Sequence, residues 1–247
     1  MRLSARFLRL YETRNYHRFS RIHVVSSESA DYLAGLDTRL VTALRVIPLS
    51  AGHGFFQELS PVIGVNPGKT TRQLLSSGNM SNPGVLNGLL DFLDTGWEKV
   101  AQAFPGLRFV ILTGGYLPPV LEFYKQRFPG IEIVSWVEDY KDVMVQSDVF
   151  IAPDRTGPGP KTRIIQALFA GKPIVALKAA LEGIPYENGI HLYECESTDE
   201  MGQRVIELLA SDKKRLNMSS NAQRLGQLLY STEVVARQWI ELFEGLR

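Results

Sequence analysis

The stretch that decides the fold is "DVFIAPDRTGPGPKTRIIQALFAGKPIVALKA", residues 148–179. "DVFIAPD" (148–154) is a short apolar run of the kind that forms a buried strand. Glycines and prolines alternate over 157–160. A helical pattern follows at about 160–170, then Gly-Lys-Pro and a second apolar run, "KPIVALKA" (172–179). Strand, turn, helix and strand in that order make a parallel crossover unit, and such units cross over with one hand.

The same alternation spreads outward in both directions. "RQLLSSG" (72–78), "RFVILTGG" (108–115) and "IEIVSWV" (131–137) read as strands, and "GIHLYECE" (189–196) as another. Between them, "GVLNGLLDFLDTGWEKVAQAF" (84–104) has apolar residues at helical spacing and reads as one helix. "PPVLEFYKQRF" (118–128) is a helix with prolines in its first turn, and "DYKDVMVQS" (139–147) a short one. Three further helices complete the chain, the last being "STEVVARQWIELFEGL". The expected fold is α/β, a doubly wound parallel sheet covered on both faces. Ligands on such sheets bind beyond the carboxyl ends of the strands. Those ends are Gly78-Asn79, Gly114-Gly115, Ser135-Trp136-Val137, Pro153-Asp154 and the glycine-proline loop.

The first 59 residues look different. A basic helix (about 2–19) precedes a strand, "RIHVVSS" (21–27), a helix, "SESADYLAGL", and a short strand, "LRVIPLS" (44–50). A Gly/Pro-rich linker is expected at 60–71, the sheet domain at 72–230, and a closing helix at 231–247 that turns back toward the N-terminal part.

Composition excludes several function classes. Hydrophobic residues make up 45% and charged residues 21%, and net charge is +1, so nothing pulls the whole chain toward nucleic acid. No run approaches the roughly 18 apolar residues of a membrane span. The first 21 residues hold six arginines without an apolar core, so no secretory signal is expected. With Leu3, Phe7 and Leu10 on one face, that basic helix fits either a packed solvated helix or peripheral contact with an anionic membrane, which points to a cytoplasmic location. Cys195 is alone and sits in an apparent strand, where a thiol is inert. No Cys/His cluster has metal-ligand spacing. Of the histidines, His53 lies between glycines and His23 fills a strand position; neither has triad partners. "GVNPGKTT" (64–71) has one residue too few for a phosphate-binding P-loop and precedes a strand instead of following one. Asp139 reads as a helix cap.

The loop at 157–163 has the parts of an anion site. Gly157 and Gly159 let the backbone turn and approach a ligand. Pro160 suits a first helical position. The helix N-terminus offers N–H groups and a positive dipole end, Lys161 and Arg163 add charge, and Thr162 adds a hydroxyl. A plain strand-to-helix turn with solvated cations fits the same residues.

Several stretches resemble one family. "SWVEDYKDVMVQSDVFIAPDRTGPGPKTRIIQALFAGKPIVALKAALEGI" is similar to the densest motif of the group 1 glycosyltransferases, the retaining enzymes of two-domain GT-B fold. "VSSESADYL", "RVIPLSAG", "GNMSNPGVLNGLLDF" and the final "WIELF" look like flanking parts of the same family. The resemblance implies a Rossmann-like donor domain preceded by a small remnant of an acceptor domain. It implies a nucleoside diphosphate-sugar donor, UDP- or GDP-linked, with no cofactor and no metal. The base would lie near Ser135, Trp136 and Val137, and the diphosphate over Gly78, Asn79 and Gly114 and the helix behind Gly157 and Gly159. Thr162 would add a hydrogen bond, and Lys161 and Arg163 would carry the catalytic charge on the departing diphosphate. Gln166 stands where the family places a ribose-holding glutamate, and Pro158 where it places an earlier one. Transfer of a sugar to a glycan, lipid or small molecule is the implied activity, with the acceptor domain supplied by a partner chain or a second copy. The departures at Gln166 and Pro158 favour a second reading, a non-catalytic or partner-dependent nucleotide-sugar binder.

Overall fold

The computed structural model describes residues 2–52 and 71–246. His53, the P-loop-like stretch and all of the expected linker except Thr71 lie outside the described residues. First come α1 (Arg2–Asn15), β1 (Ile22–Val24), α2 (Ser27–Leu36) and β2 (Leu44–Val46). The sheet region follows as β3 (Gln73–Ser77), α3 (Pro83–Thr95), α4 (Trp97–Ala103), β4 (Arg108–Leu112), α5 (Val120–Arg127) and β5 (Ile131–Val134). Then come α6 (Tyr140–Gln146), β6 (Val149–Ala152), α7 (Thr162–Phe169), β7 (Ile174–Leu177) and β8 (Tyr193–Cys195). Three helices close the chain: α8 (Thr198–Ala210), α9 (Asp212–Tyr230) and α10 (Thr232–Glu244).

The main sheet has six parallel strands in the order β5-β4-β3-β6-β7-β8. The chain works outward from β3 to β5, then crosses back through α6 to place β6 on the other side of β3. The order therefore reverses between β3 and β6, which is where such sheets open a ligand crevice. Alternate strand residues feed two separate cores. Phe109, Ile111, Val149, Ile151 and Val175 point to the face covered by α3, α4 and α8. Val110, Leu112, Phe150, Ala152 and Ile174 point to the face covered by α7 and α9. Both faces are buried, so the strands read as continuous apolar runs, as expected of a parallel sheet.

The expected 84–104 helix is two helices. Gly96 separates α3 from α4 because α8 presses against it: a Cβ there would lie 2.5 Å from the Thr198 carbonyl oxygen. Gly202 of α8 answers it, since its own Cβ would lie 2.8 Å from the Gly96 carbonyl oxygen. Periodicity carries no trace of such a cross-chain contact. The basic helix likewise ends at Asn15, with a single 3-10 turn over Tyr16–Arg18. The 189–196 strand shrinks to three residues.

β1 and β2 form a small parallel pair, packed by α2 around Leu33, Leu40 and Leu44. Ser26 caps α2 through its hydroxyl, which accepts from Ser29 N. His23 does fill a strand position: its Nε2 lies 2.7 Å from the Ile47 carbonyl oxygen and its ring 4.4 Å from Trp239 of α10. The last helix thus packs back onto the N-terminal strands. α1 leaves Phe7, Leu8, Leu10 and Tyr11 exposed. Among the described residues, no helix is long and apolar enough to cross a membrane.

Candidate functional site

The carboxyl ends of β3, β4, β6 and β7 meet at one rim. Gly78 directly follows β3 and donates its N–H to Leu112 O at 3.0 Å. A side chain at 78 would strike Val85 Cγ1 at 2.7 Å and reach Arg163, whose Cζ would be 3.6 Å and Nε 3.8 Å away. Gly114 has φ +65, and its missing Cβ would sit 3.2 Å from Gly78 O and 3.3 Å from Asn79 Cα. Three residues named from the sequence, Gly78, Gly114 and Arg163, therefore converge at the reversal of strand order. Asn79 completes a turn there, accepting from Ser81 N at 3.0 Å and from Ser81 Oγ at 2.6 Å.

α3 is driven close to the opposite loop by its glycines. A Cβ on Gly88 would lie 1.7 Å from Pro153 O, and one on Gly84 would lie 1.9 Å from Thr156 Oγ1. Arg155 N donates to Gly84 O at 3.1 Å, and Arg155 pairs with Asp91 of α3. The loop after β6 is thus clamped to α3 before it reaches α7.

Gly157 (φ +136) and Gly159 (φ +70) adopt backbone conformations that side chains disfavour. Their carbonyls turn inward, and Lys161 Nζ donates to both, at 2.6 Å each, and to Ala179 O at 3.4 Å. Burial lowers the Lys161 amine from its usual range. The lysine holds the loop shut on itself and does not project from it. Pro160 is not the first helical residue, as the sequence suggested. Lys161 is the N-cap and Thr162 opens α7, because Pro160 is drawn against Gly183, where an added Cβ would lie 2.9 Å from Pro160 Cδ.

The start of α7, like those of α4 and α5, makes no side-chain cap, whereas α2, α3, α6, α8, α9 and α10 are capped by Ser, Asn or Asp. Its first N–H groups remain available to an anion. Arg163 Nη2 donates to Asp154 Oδ2 at the foot of the crevice. Thr162 is exposed at the helix start.

The remaining expected contacts lie around this centre. Gly115 N donates to Ser135 O at 2.8 Å, which ties the β5 end to the β4 end. Ser135 is exposed, Trp136 is 72% exposed, and Val137 packs on the core beneath. Gln166 Nε2 reaches Ala51 O at 3.5 Å, at the limit of a hydrogen bond. Asp139 caps α6 by accepting from Lys141 N at 2.7 Å. Pro158 is exposed on the loop.

Two further side chains stand at this rim, Tyr140, which the sequence does not single out, and Asp154, which it places only as a strand end. Tyr140 OH lies 2.7 Å from Ser77 Oγ, and burial pushes its hydroxyl up to about 12. Asp154 is 1% exposed and carries the Arg163 contact. Asp154 follows Pro153 at a strand end, which was the only signal available.

Beside the crevice, a cavity of ≈ 340 Å³ opens between the ends of β6, β7 and β8, lined by Asp154, Arg155, Lys178, Cys195 and Thr198, among others. Burial pushes the Cys195 thiol up to about 12. Native protein is therefore expected to resist a thiol reagent at about pH 8, where an ordinary thiol near 8.5 reacts readily. Labelling should follow the rate of unfolding, and fast labelling of folded protein would contradict the burial. Among the described residues, no group of His, Cys, Asp and Glu has the arrangement of a metal site.

Residues 71–211, more than half of the 247-residue chain, match the family model "Glycosyl transferases group 1". No curated protein matches the chain. Among solved structures, a glycosyltransferase from Rickettsia africae is similar at 13% identity and a TM-score of 0.72, covering 96% of this chain. The Anabaena protein HepE in complex with UDP is similar at 16% identity and a TM-score of 0.73, covering 93% of this chain. Sucrose-phosphate synthase from Thermosynechococcus elongatus is similar at 17% identity and a TM-score of 0.68, covering 91% of this chain. The chain spans 66%, 65% and 57% of those three proteins, respectively. Their likeness is one of fold: it extends across the parallel sheet and its helices, as does the resemblance read from the motifs. On the family match, the chain belongs to the group 1 glycosyl transferases.

Proposed function

We propose that this chain forms the donor-binding side of a retaining glycosyltransferase that takes a nucleoside diphosphate-sugar, UDP- or GDP-linked. The observation that carries the reading is the convergence of Gly78, Gly114, Arg163 and the uncapped start of α7 at the reversal of strand order. A diphosphate seated there would meet helix N–H groups and a guanidinium. Those groups would stabilise the charge that builds up as the diphosphate departs, an electrostatic task that asks little else of side chains. Lys161 serves by shaping the loop. The base would lie along the exposed Ser135–Trp136 edge. A complex of HepE with UDP, and a further one of it with UDP-glucose, support this donor class.

A second reading rests on Gln166 and on α1. Gln166 lacks the charge of the family's glutamate, and α1 exposes Phe7, Leu8, Leu10 and Tyr11. In that reading the chain binds a nucleotide-sugar and turns it over only with a partner that supplies acceptor binding. The basic α1 would rest on that partner or on an anionic cytoplasmic membrane face.

Isothermal calorimetry with UDP, GDP and their sugar conjugates tests the donor reading. At least one is expected to bind; no heat from any of them at millimolar concentration would sink it. Sugar release from the bound donor by the chain alone separates the first reading from the second.

A further inference from the structure

Arg163 is useful to an anion only if its guanidinium is held over the crevice, and a long flexible side chain does not hold itself. Asp154 does this from the neighbouring element. It follows the end of β6, is 1% exposed, and accepts a hydrogen bond from Arg163 Nη2. The contact is end-on: Arg163 Nε and Asp154 Oδ1 are both buried and find no hydrogen-bond partner among the described residues. Meanwhile Arg163 Cζ and Nε lie 3.6 and 3.8 Å from the place a Gly78 Cβ would take. One corner of the planar fork is thus pinned on β6, and its Nε edge lies over the end of β3. A guanidinium has five donors in a fixed plane, so fixing one corner aims the others.

We propose that Asp154 is a positioning residue of this site, holding Arg163 over Gly78 with donors left for a diphosphate oxygen. The inference rests on the donor-site reading above. Asp154 acts through Arg163 and does not itself touch the nucleotide. Its charge makes the proposal sharp. A carboxylate near an anion site weakens anion binding by repulsion, so if charge alone mattered, removing it would tighten binding. If positioning matters, removing it loosens binding.

The test is a double-mutant cycle on the full chain, read by calorimetry with whichever of UDP and GDP the wild type binds better. Asp154→Ala is expected to weaken binding roughly tenfold or more, the scale of one charge-assisted hydrogen bond lost to the diphosphate. In an Arg163→Ala background the same change should cause no further loss, because nothing remains to be aimed. Equal or tighter binding by Asp154→Ala overturns the proposal. So does a loss that persists without Arg163, which would mark a structural role. If Asp154→Ala does not fold, Asp154→Asn takes its place, with a smaller loss expected and the same two overturning results. A wild type that binds neither nucleotide removes the donor reading, and this inference with it. A wild type that binds, with Asp154→Ala unaffected, removes this inference alone.

Discussion

Arg163→Ala is expected to weaken nucleoside diphosphate binding by roughly a hundredfold, since truncating a desolvated charge that contacts an anion costs about 2–5 kcal/mol. Stability should fall as well. The pair is formed by a guanidinium 19% exposed and a carboxylate 1% exposed. Breaking such a pair strands the buried partner, at about 3–5 kcal/mol. For a chain of this length that corresponds to a melting point lower by roughly 10 °C. Titration calorimetry and a thermal scan on the same sample separate the two effects. Unchanged affinity in a protein that melts early would leave the ion pair as architecture and strip Arg163 of its binding role.

Gly88→Ala is expected to be the most damaging single-methyl change in the sheet domain. The new Cβ would lie 1.7 Å from Pro153 O and 2.8 Å from Pro153 C. Both are backbone atoms, so no side chain can swing aside. α3 must retreat from the loop after β6, and overpacking of this kind costs about 3 kcal/mol or more. The retreat also opens the clamp that Gly84 and Arg155 make, so nucleotide binding should fall together with stability. Gly35→Ala is the control. It lies in α2 with nothing within 4 Å of the added Cβ, and the change should raise stability by up to about 1 kcal/mol. A Gly88→Ala protein with a wild-type melting point would mean that α3 is not seated this closely.

Strands β4, β6 and β7 were legible because nearly all their residues are buried on both faces, and that burial leaves continuous apolar runs such as Val149–Ala152. The caps were legible where a cap residue stands before a helical pattern, as Asp139 does before α6. Breaks caused by distant partners were not. Gly96 ends a helix because α8 leans on it, and the partner residues lie about a hundred positions away in the sequence. The site divided in the same manner. Glycines that must turn tightly, and cations next to a helix start, announced Gly78, Gly114 and Arg163. What each cation faces depends on rotamer and on the phase of the helix. Lys161 therefore reads like Arg163 in the sequence, yet folds its amine onto its own loop carbonyls. The pairing of Asp154 with Arg163 and of Ser77 with Tyr140 joins neighbouring strand ends and helix starts, and no local pattern encodes either.

Gly183 gives the loop a second owner. An added Cβ there would lie 2.9 Å from Pro160 Cδ on one side and 2.9 Å from Ser26 Cβ on the other, at a backbone φ of +77. Ser26 is the cap of α2. The glycine-proline loop and the first turn of α2 therefore share one thin partition with no slack in it. Thermodynamic reciprocity applies to such a partition: whatever shifts α2 and changes grip at 157–161 must itself be shifted, by the same free energy, when that grip is filled. A methyl group added at Gly183 would push on Pro160 and on Ser26 at once, so the loop and α2 would be disturbed together.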